Sequence, residues 1–149
     1  MHDETFFVYQ RQALKPLLVW GVGSSIGGSL LLLVPGLVRH FGIQAAAWGT
    51  IDVLLAIFAR RRALLKAEAV ANGDLEEQAV AREAEQFRNI LAFNAGLDVL
   101  YIVVGLAIAA RAAERPNRRG LGYGVATQGA FLLAFDALLA RNVGRRFLI

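Results

Sequence analysis

Four stretches of the chain carry almost no charge, and the polar residues gather in blocks between them. The first covers residues 17–38, LLVWGVGSSIGGSLLLLVPGLV, and the second residues 42–59, GIQAAAWGTIDVLLAIFA. The third covers 89–110 and the fourth 121–140. Each is long enough to cross a hydrocarbon core of about 30 Å at about 1.5 Å per residue. A short segment in lipid satisfies its own backbone only as a helix. The pattern predicts an all-α integral membrane four-helix bundle, with the chain, 1–149, as one four-span domain. A signal peptide is the rival for the first stretch. Its 22 residues exceed a signal core of about 7–15, so it reads as a retained span.

The polar block at 60–88 has a pattern of its own. RRRALLKAEAVA from Arg60 is rich in strong helix formers, and Asn72-Gly73 is a turn signal. Asp74 followed by Glu77 matches a capping box, and Val80, Ala84, Phe87 and Leu91 continue one stripe into the third span. Spans two and three are therefore expected to run on past the membrane as a helical hairpin. Phe6, Phe7 and Tyr9, next to Arg11 and Lys15, read as an interfacial anchor ahead of span one.

Composition sharpens this picture. Hydrophobic residues make up 56% and charged residues 19%, which sets aside disordered and ordinary soluble classes. Without cysteine there is no disulfide, thiolate metal site or Fe–S cluster. The only histidines are His2 and His40, so a haem or zinc site is not expected, nor any other cofactor. The net charge of +4 follows topology rather than nucleic acid. Eleven Lys and Arg fall on the side of the termini and the 60–88 block. Five fall on the other side: Arg39, Arg111, Arg115, Arg118 and Arg119. The positive-inside rule then puts both termini and the hairpin in the cytoplasm of a multi-pass inner-membrane protein. The two halves also resemble each other. Gly23 aligns with Gly96, and GTIDVLLAIFAR from Gly49 with GAFLLAFDALLAR from Gly129, as in a parallel repeat about an axis along the membrane normal.

Three acids fall inside the spans: Asp52, Asp98 and Asp136. An Asp near a helix centre costs about 2.5–3.5 kcal/mol on the insertion scale, so all three should face the bundle interior. Asn94, Asp98 and Tyr101 share one helix face, as do Gln44, Trp48 and Asp52; Gln128 shares a side with Asp136. Ser24, Ser25 and Ser29 sit among glycines on span one. The expectation is a polar seam lined by all four helices, with Asp136 near its cytoplasmic mouth and Arg141 as a possible partner for it. Two carboxylates held close in a low dielectric resist double ionisation, which suits a site for a proton or a cation. The competing reading is structural, with the acids hydrogen-bonded to Asn94, Tyr101 and Gln128. The Gly23-x-x-x-Gly27 and Ser24-x-x-x-Gly28 spacings let helix backbones approach closely.

Asn94-x-Gly96-Leu97-Asp98-x-x-Tyr101 and Gln128-Gly129-x-Phe131-Leu132-Leu133-x-Phe135-Asp136 resemble a pattern in small uncharacterised bacterial four-span membrane proteins. That resemblance implies a bacterial four-helix membrane protein and carries no activity. The functional expectation from the residues is a small transporter or channel-like protein for a cation or protonatable solute. Asp52 and Asp98 would carry charge, Asn94, Tyr101 and Gln128 would position the solute, and Trp48 would lie over the seam. Membrane lipid and a second copy of the chain are the other expected partners. The alternative is a non-catalytic scaffold or hydrophobic-ligand binder that docks a partner on its hairpin. A lipid-acting enzyme using the acids is a third class, less supported because no nucleophile or metal set accompanies them.

Overall fold

Alanine, leucine and arginine are the commonest residues of the chain outside its glycines, and all three propagate helix at little cost. Residues 5–148, those described by the computed structural model, are accordingly almost wholly helical. His2 lies outside the described residues. The helices are α1 (Phe6–Ala13), α2 (Lys15–Leu31), α3 (Leu37–Ala71), α4 (Glu77–Arg111) and α5 (Pro116–Phe147). Leu14 alone separates α1 from α2, in an ordinary right-handed conformation. Turns 32–36 and 112–115 lie at one end of the bundle, here the turn end. Residues 72–76 and both described chain ends lie at the other, the hairpin end.

Among the described residues three helices are long and apolar enough to span a membrane: α3, α4 and α5. The apolar run 17–38 is not one helix. α2 stops at Leu31, the amides of Leu32, Leu33 and Val34 turn back to carbonyls three residues earlier, and Gly36 takes φ 79° before α3 begins. Arg39 Nε donates to the Leu32 carbonyl at 2.9 Å and closes the turn. At 17 residues, α2 is about 26 Å long. α3 and α5 begin earlier than their apolar cores, so His40, Gly120, Gly122 and Gly124 are helical rather than in loops.

At the hairpin end, α3 and α4 are unbroken through 35 residues each. Asp74 does not cap α4; that helix starts at Glu77 without a side-chain cap. Instead Asp74 completes a Schellman ending of α3. Its amide donates to Ala69 and that of Gly73 to Val70, with Gly73 at φ 79°. Lys66 on α3 donates to Glu83 on α4 and joins the two arms.

Burial recurs every seven residues along the whole molecule. The buried positions include Phe7, Leu14, Gly21 and Gly28 on α1 and α2, and Gly42, Gly49, Ala56 and Ala63 on α3. They continue as Ala84, Leu91, Asp98 and Gly105 on α4, and Gly122, Gly129, Asp136 and Val143 on α5. A seven-residue period is 3.5 per turn, the signature of left-handed supercoiling. Close approaches fix the levels. A Cβ on Gly28 would fall 2.7 Å from the Gly42 carbonyl oxygen, and one on Gly122 2.5 Å from that of Gly105. A Cβ on Gly124 would fall 2.5 Å from Gln44 Cβ, which ties the two halves together.

Four levels result. From the hairpin end they are Phe7/Ala63/Ala84/Val143, then Leu14/Ala56/Leu91/Asp136, then Gly21/Gly49/Asp98/Gly129, then four glycines, Gly28/Gly42/Gly105/Gly122. Side chains are large in the first two levels and nearly absent in the last two, so the helices draw together toward the turn end and leave room at the hairpin end. That room is filled by α1. Phe6, Phe7 and Tyr9 are 2%, 1% and 9% exposed and pack with Leu91, Leu139 and Val143. They are core, not an interfacial anchor, because the wide end needs large side chains.

The halves correspond. Adding 77 to a position on α2, or 80 to one on α3, carries the Gly28–Gly42 contact onto Gly105–Gly122 and Gly21–Gly49 onto Asp98–Gly129. The alignment of Gly49 on Gly129 therefore holds, whereas Gly23 on Gly96 is one helical turn out of register. α3 and α5 pack side by side, with α2 against α3 and α4 against α5.

Candidate functional site

The second and third levels hold the acids. Asp98 and Asp136 belong to these levels, and Asp52 lies between them on α3. Levels one heptad apart are about 10 Å apart along a helix. All three acids are buried, at 2% exposed for Asp52 and Asp98 and 6% for Asp136. Asp136 stands within electrostatic reach of both others and beside Asn94. The helix positions explain the convergence. Level three has glycine on the other three helices, so Asp98 enters a space that no facing side chain fills. Asp136 faces Ala56 across its own level. Arg141 is exposed, and among the described residues none of the three acids is in an ion pair.

Hydrogen bonds order one side of the cluster. Trp20 Nε1 on α2 donates to Gln128 Oε1 on α5 at 3.0 Å, and Gln128 Nε2 donates to Asp52 Oδ2 on α3. An indole N–H can only donate, so it fixes which end of the amide is oxygen and turns the NH2 group to the carboxylate. Phe131 stacks on Trp20 at 4.2 Å and 6°, which holds the indole in place. Asp98 Oδ2 is buried with no hydrogen-bond partner among the described residues. A buried polar atom left unpaired costs about 1–3 kcal/mol or more for a charged group.

A cavity of about 380 Å³ lies between α2 and α5 on the turn-end side, lined by Trp20, Ser24, Gly27, Phe41, Thr127 and Gln128 among others. Gln128 thus faces both ways: its side chain lines the cavity and its amide holds Asp52. Gly23 and Gly27 border the same open space and have nothing within 4 Å of an added Cβ. Close helix approach is made instead by Gly21 and Gly28. Across the molecule Trp48 and Tyr101 meet at 5.6 Å and 57° and fill the space between α3 and α4.

The residues brought together are Asp52, Asp98, Asp136, Asn94 and Gln128, with Trp48 and Tyr101 as a second wall. The span-one serines contribute differently. Ser29 bonds to the Ser25 carbonyl, and Ser25 pairs with Thr50 at 3.4 Å on the outer surface. α2 reaches the seam through Trp20, by its bond to Gln128. The available signal was a mid-span tryptophan, whose N–H needs a partner when buried.

Residues 16–137 match the model of DUF6992, described as a family of unknown function. The chain belongs to that family. No curated protein and no solved structure matches it. The DUF6992 match includes all three acids, Gln128 and Trp20, and excludes α1.

Proposed function

We propose that this DUF6992 protein is a bacterial inner-membrane protein in which α2–α5 cross the bilayer, a short α2 completing the set of four. Both termini and the α3–α4 hairpin lie in the cytoplasm, as the eleven Lys and Arg at the hairpin end favour. Within the bundle, the Asp52/Asp98/Asp136 cluster binds a proton or a small cation, including a protonated amine. The protein is a small transporter or channel-like protein for that solute.

The observation that carries this reading is the Asp98 Oδ2 left unpaired among three buried acids that have no basic partner among the described residues. Interhelical hydrogen bonds in membranes are worth about 0.6 kcal/mol on average, too little to favour three buried acids as glue. A cation supplies what the cluster lacks. Asn94 and Gln128 orient the carboxylates, and the cavity beyond Gln128 leads the solute in from the side.

Thermal stability of the purified protein with panels of inorganic cations and organic amines, across pH 4–9, tests the reading. A binding cation raises Tm, and the rise grows with pH because only ionised carboxylates attract it. Asp98→Asn removes the rise. Flat curves, with Asp98→Asn merely less stable, would make the cluster structural. The 380 Å³ cavity favours a second reading, a hydrophobic-ligand binder. In that case uncharged apolar ligands would raise Tm equally in wild type and Asp98→Asn.

A further inference from the structure

A second concavity lies at the hairpin end, of about 390 Å³, between the α1–α2 junction and α3. Arg11 of α1, Lys15 of α2 and Arg60 of α3 line it, with Val8, Leu64 and Ala67 and no acidic side chain. Among the described residues none of the three cations is in an ion pair. Two nearby basic groups are engaged elsewhere: Lys66 with Glu83, and Arg146 over the Tyr9 ring at 4.9 Å. Three cations from three helices around one hollow go beyond the scattered basic residues that orient a membrane protein.

Apolar surface begins where the cations end. Val19, Val22 and Ile26 follow Lys15 at i+4, i+7 and i+11, and all are exposed, at 71%, 42% and 60%. Ile57, one turn before Arg60, is also exposed. A ligand seated here has its anionic part among three cations and its apolar part along α2 and α3. The matching hollow at the turn end is different in kind, since Glu114 lines it together with Arg111, Arg115 and Arg118.

We infer that Arg11, Lys15 and Arg60 form a headgroup site for an anionic phospholipid, the phosphate held by the cations and the acyl chains lying on the exposed face of α2. The inference rests on the membrane reading above but not on the acid cluster. Phospholipid is favoured over a free phosphate ester because the apolar surface continues directly from the hollow.

The test is native mass spectrometry of the full chain in neutral detergent. It is titrated with phosphatidylglycerol, phosphatidylcholine and glycerol 3-phosphate. Wild type binds phosphatidylglycerol in preference to the other two. Arg11→Gln/Lys15→Gln/Arg60→Gln weakens this about 100-fold, about fivefold per cation removed. Should the triple variant fold poorly, Arg60→Gln alone gives about fivefold, and Arg11→Lys/Arg60→Lys retains binding. Arg111→Gln/Arg115→Gln/Arg118→Gln at the turn end changes nothing. Equal weakening by the two triple variants would overturn the site in favour of general charge attraction. Equally tight glycerol 3-phosphate would overturn the lipid assignment. Recovery of the chain in the soluble fraction of lysed cells would instead mark failure of the membrane reading, and the site would fall with it.

Discussion

The repeat builds two equivalent gaps, one between α3 and α4 and one between α2 and α5, and they end up unlike. In the first, Trp48 and Tyr101 meet and fill the space. Their counterparts in the second are Gln128 and Ser24, which leave a cavity of about 380 Å³. The backbone frame is shared, so the choice of two side chains decides which gap closes. The acids follow the same asymmetry. Asp98 and Asp136 sit where the first half has Gly21 and Ala56, small residues that make the room the carboxylates occupy. A symmetric bundle would open on both sides or on neither. This one leaves a cavity on the α2–α5 side alone of the two gaps, with Gln128 both in its lining and bonded to Asp52.

The largest effects come from breaking the frame that both gaps share. Gly28→Val and Gly105→Val place carbon against backbone, since even a Cβ would lie 2.4 and 2.6 Å from the Ala46 and Ala126 nitrogens. Either should abolish recovery of monodisperse protein in size-exclusion chromatography. Gly23→Ala and Gly27→Ala, facing open space, should stay within about 0.5 kcal/mol of wild type.

Opening the closed gap is the next largest change. Trp48→Ala removes a half-buried ring from its contact with Tyr101 and should cost about 2 kcal/mol, below the 3–5 typical of a fully buried tryptophan. Thermal unfolding in detergent reads it. Closing the open gap should do the opposite to function and little to stability. Gly27→Leu fills the cavity, and any solute-dependent rise in Tm should fall at least about tenfold in apparent affinity while the unliganded Tm holds. A smaller loss of stability than that of Trp48→Ala comes from Trp20→Phe, which keeps the stack on Phe131 and loses the N–H donor to Gln128. About 0.6 kcal/mol is expected, and a double-mutant cycle with Gln128→Leu should show that the two changes are coupled.

Much of this architecture was legible in residues alone. Charge-free runs marked the helices, and the Ala/Leu/Glu-rich block at 60–88 marked the extension of α3 and α4 beyond their apolar cores. The end of span one was legible only in part: Pro35-Gly36 marks a stop, and Gly36 does turn the chain at φ 79°, but the uniformly apolar LLLLV before it gives periodicity nothing to show that α2 already ends at Leu31. The heptad was hidden for a related reason. Its buried positions are mostly glycine, alanine and aspartate, which do not register as a hydrophobic stripe. The seven-residue steps Gly42–Gly49 and Gly122–Gly129 were its visible trace. Gln128 and the three acids were singled out by their cost in an apolar helix, a signal independent of packing. The hydrogen bond of Trp20 was not legible, because stacking and hydrogen bonding by one ring look the same in a sequence.

The central claim is that a cation and a proton compete for the carboxylate cluster. The most direct measurement is proton release from purified protein in weakly buffered detergent solution when a stabilising cation or amine is added. The account predicts release from wild type that saturates with the solute and vanishes in Asp98→Asn, with Asp98→Glu restoring part of it. Solute binding without proton release, or the same release from wild type and Asp98→Asn, would contradict it.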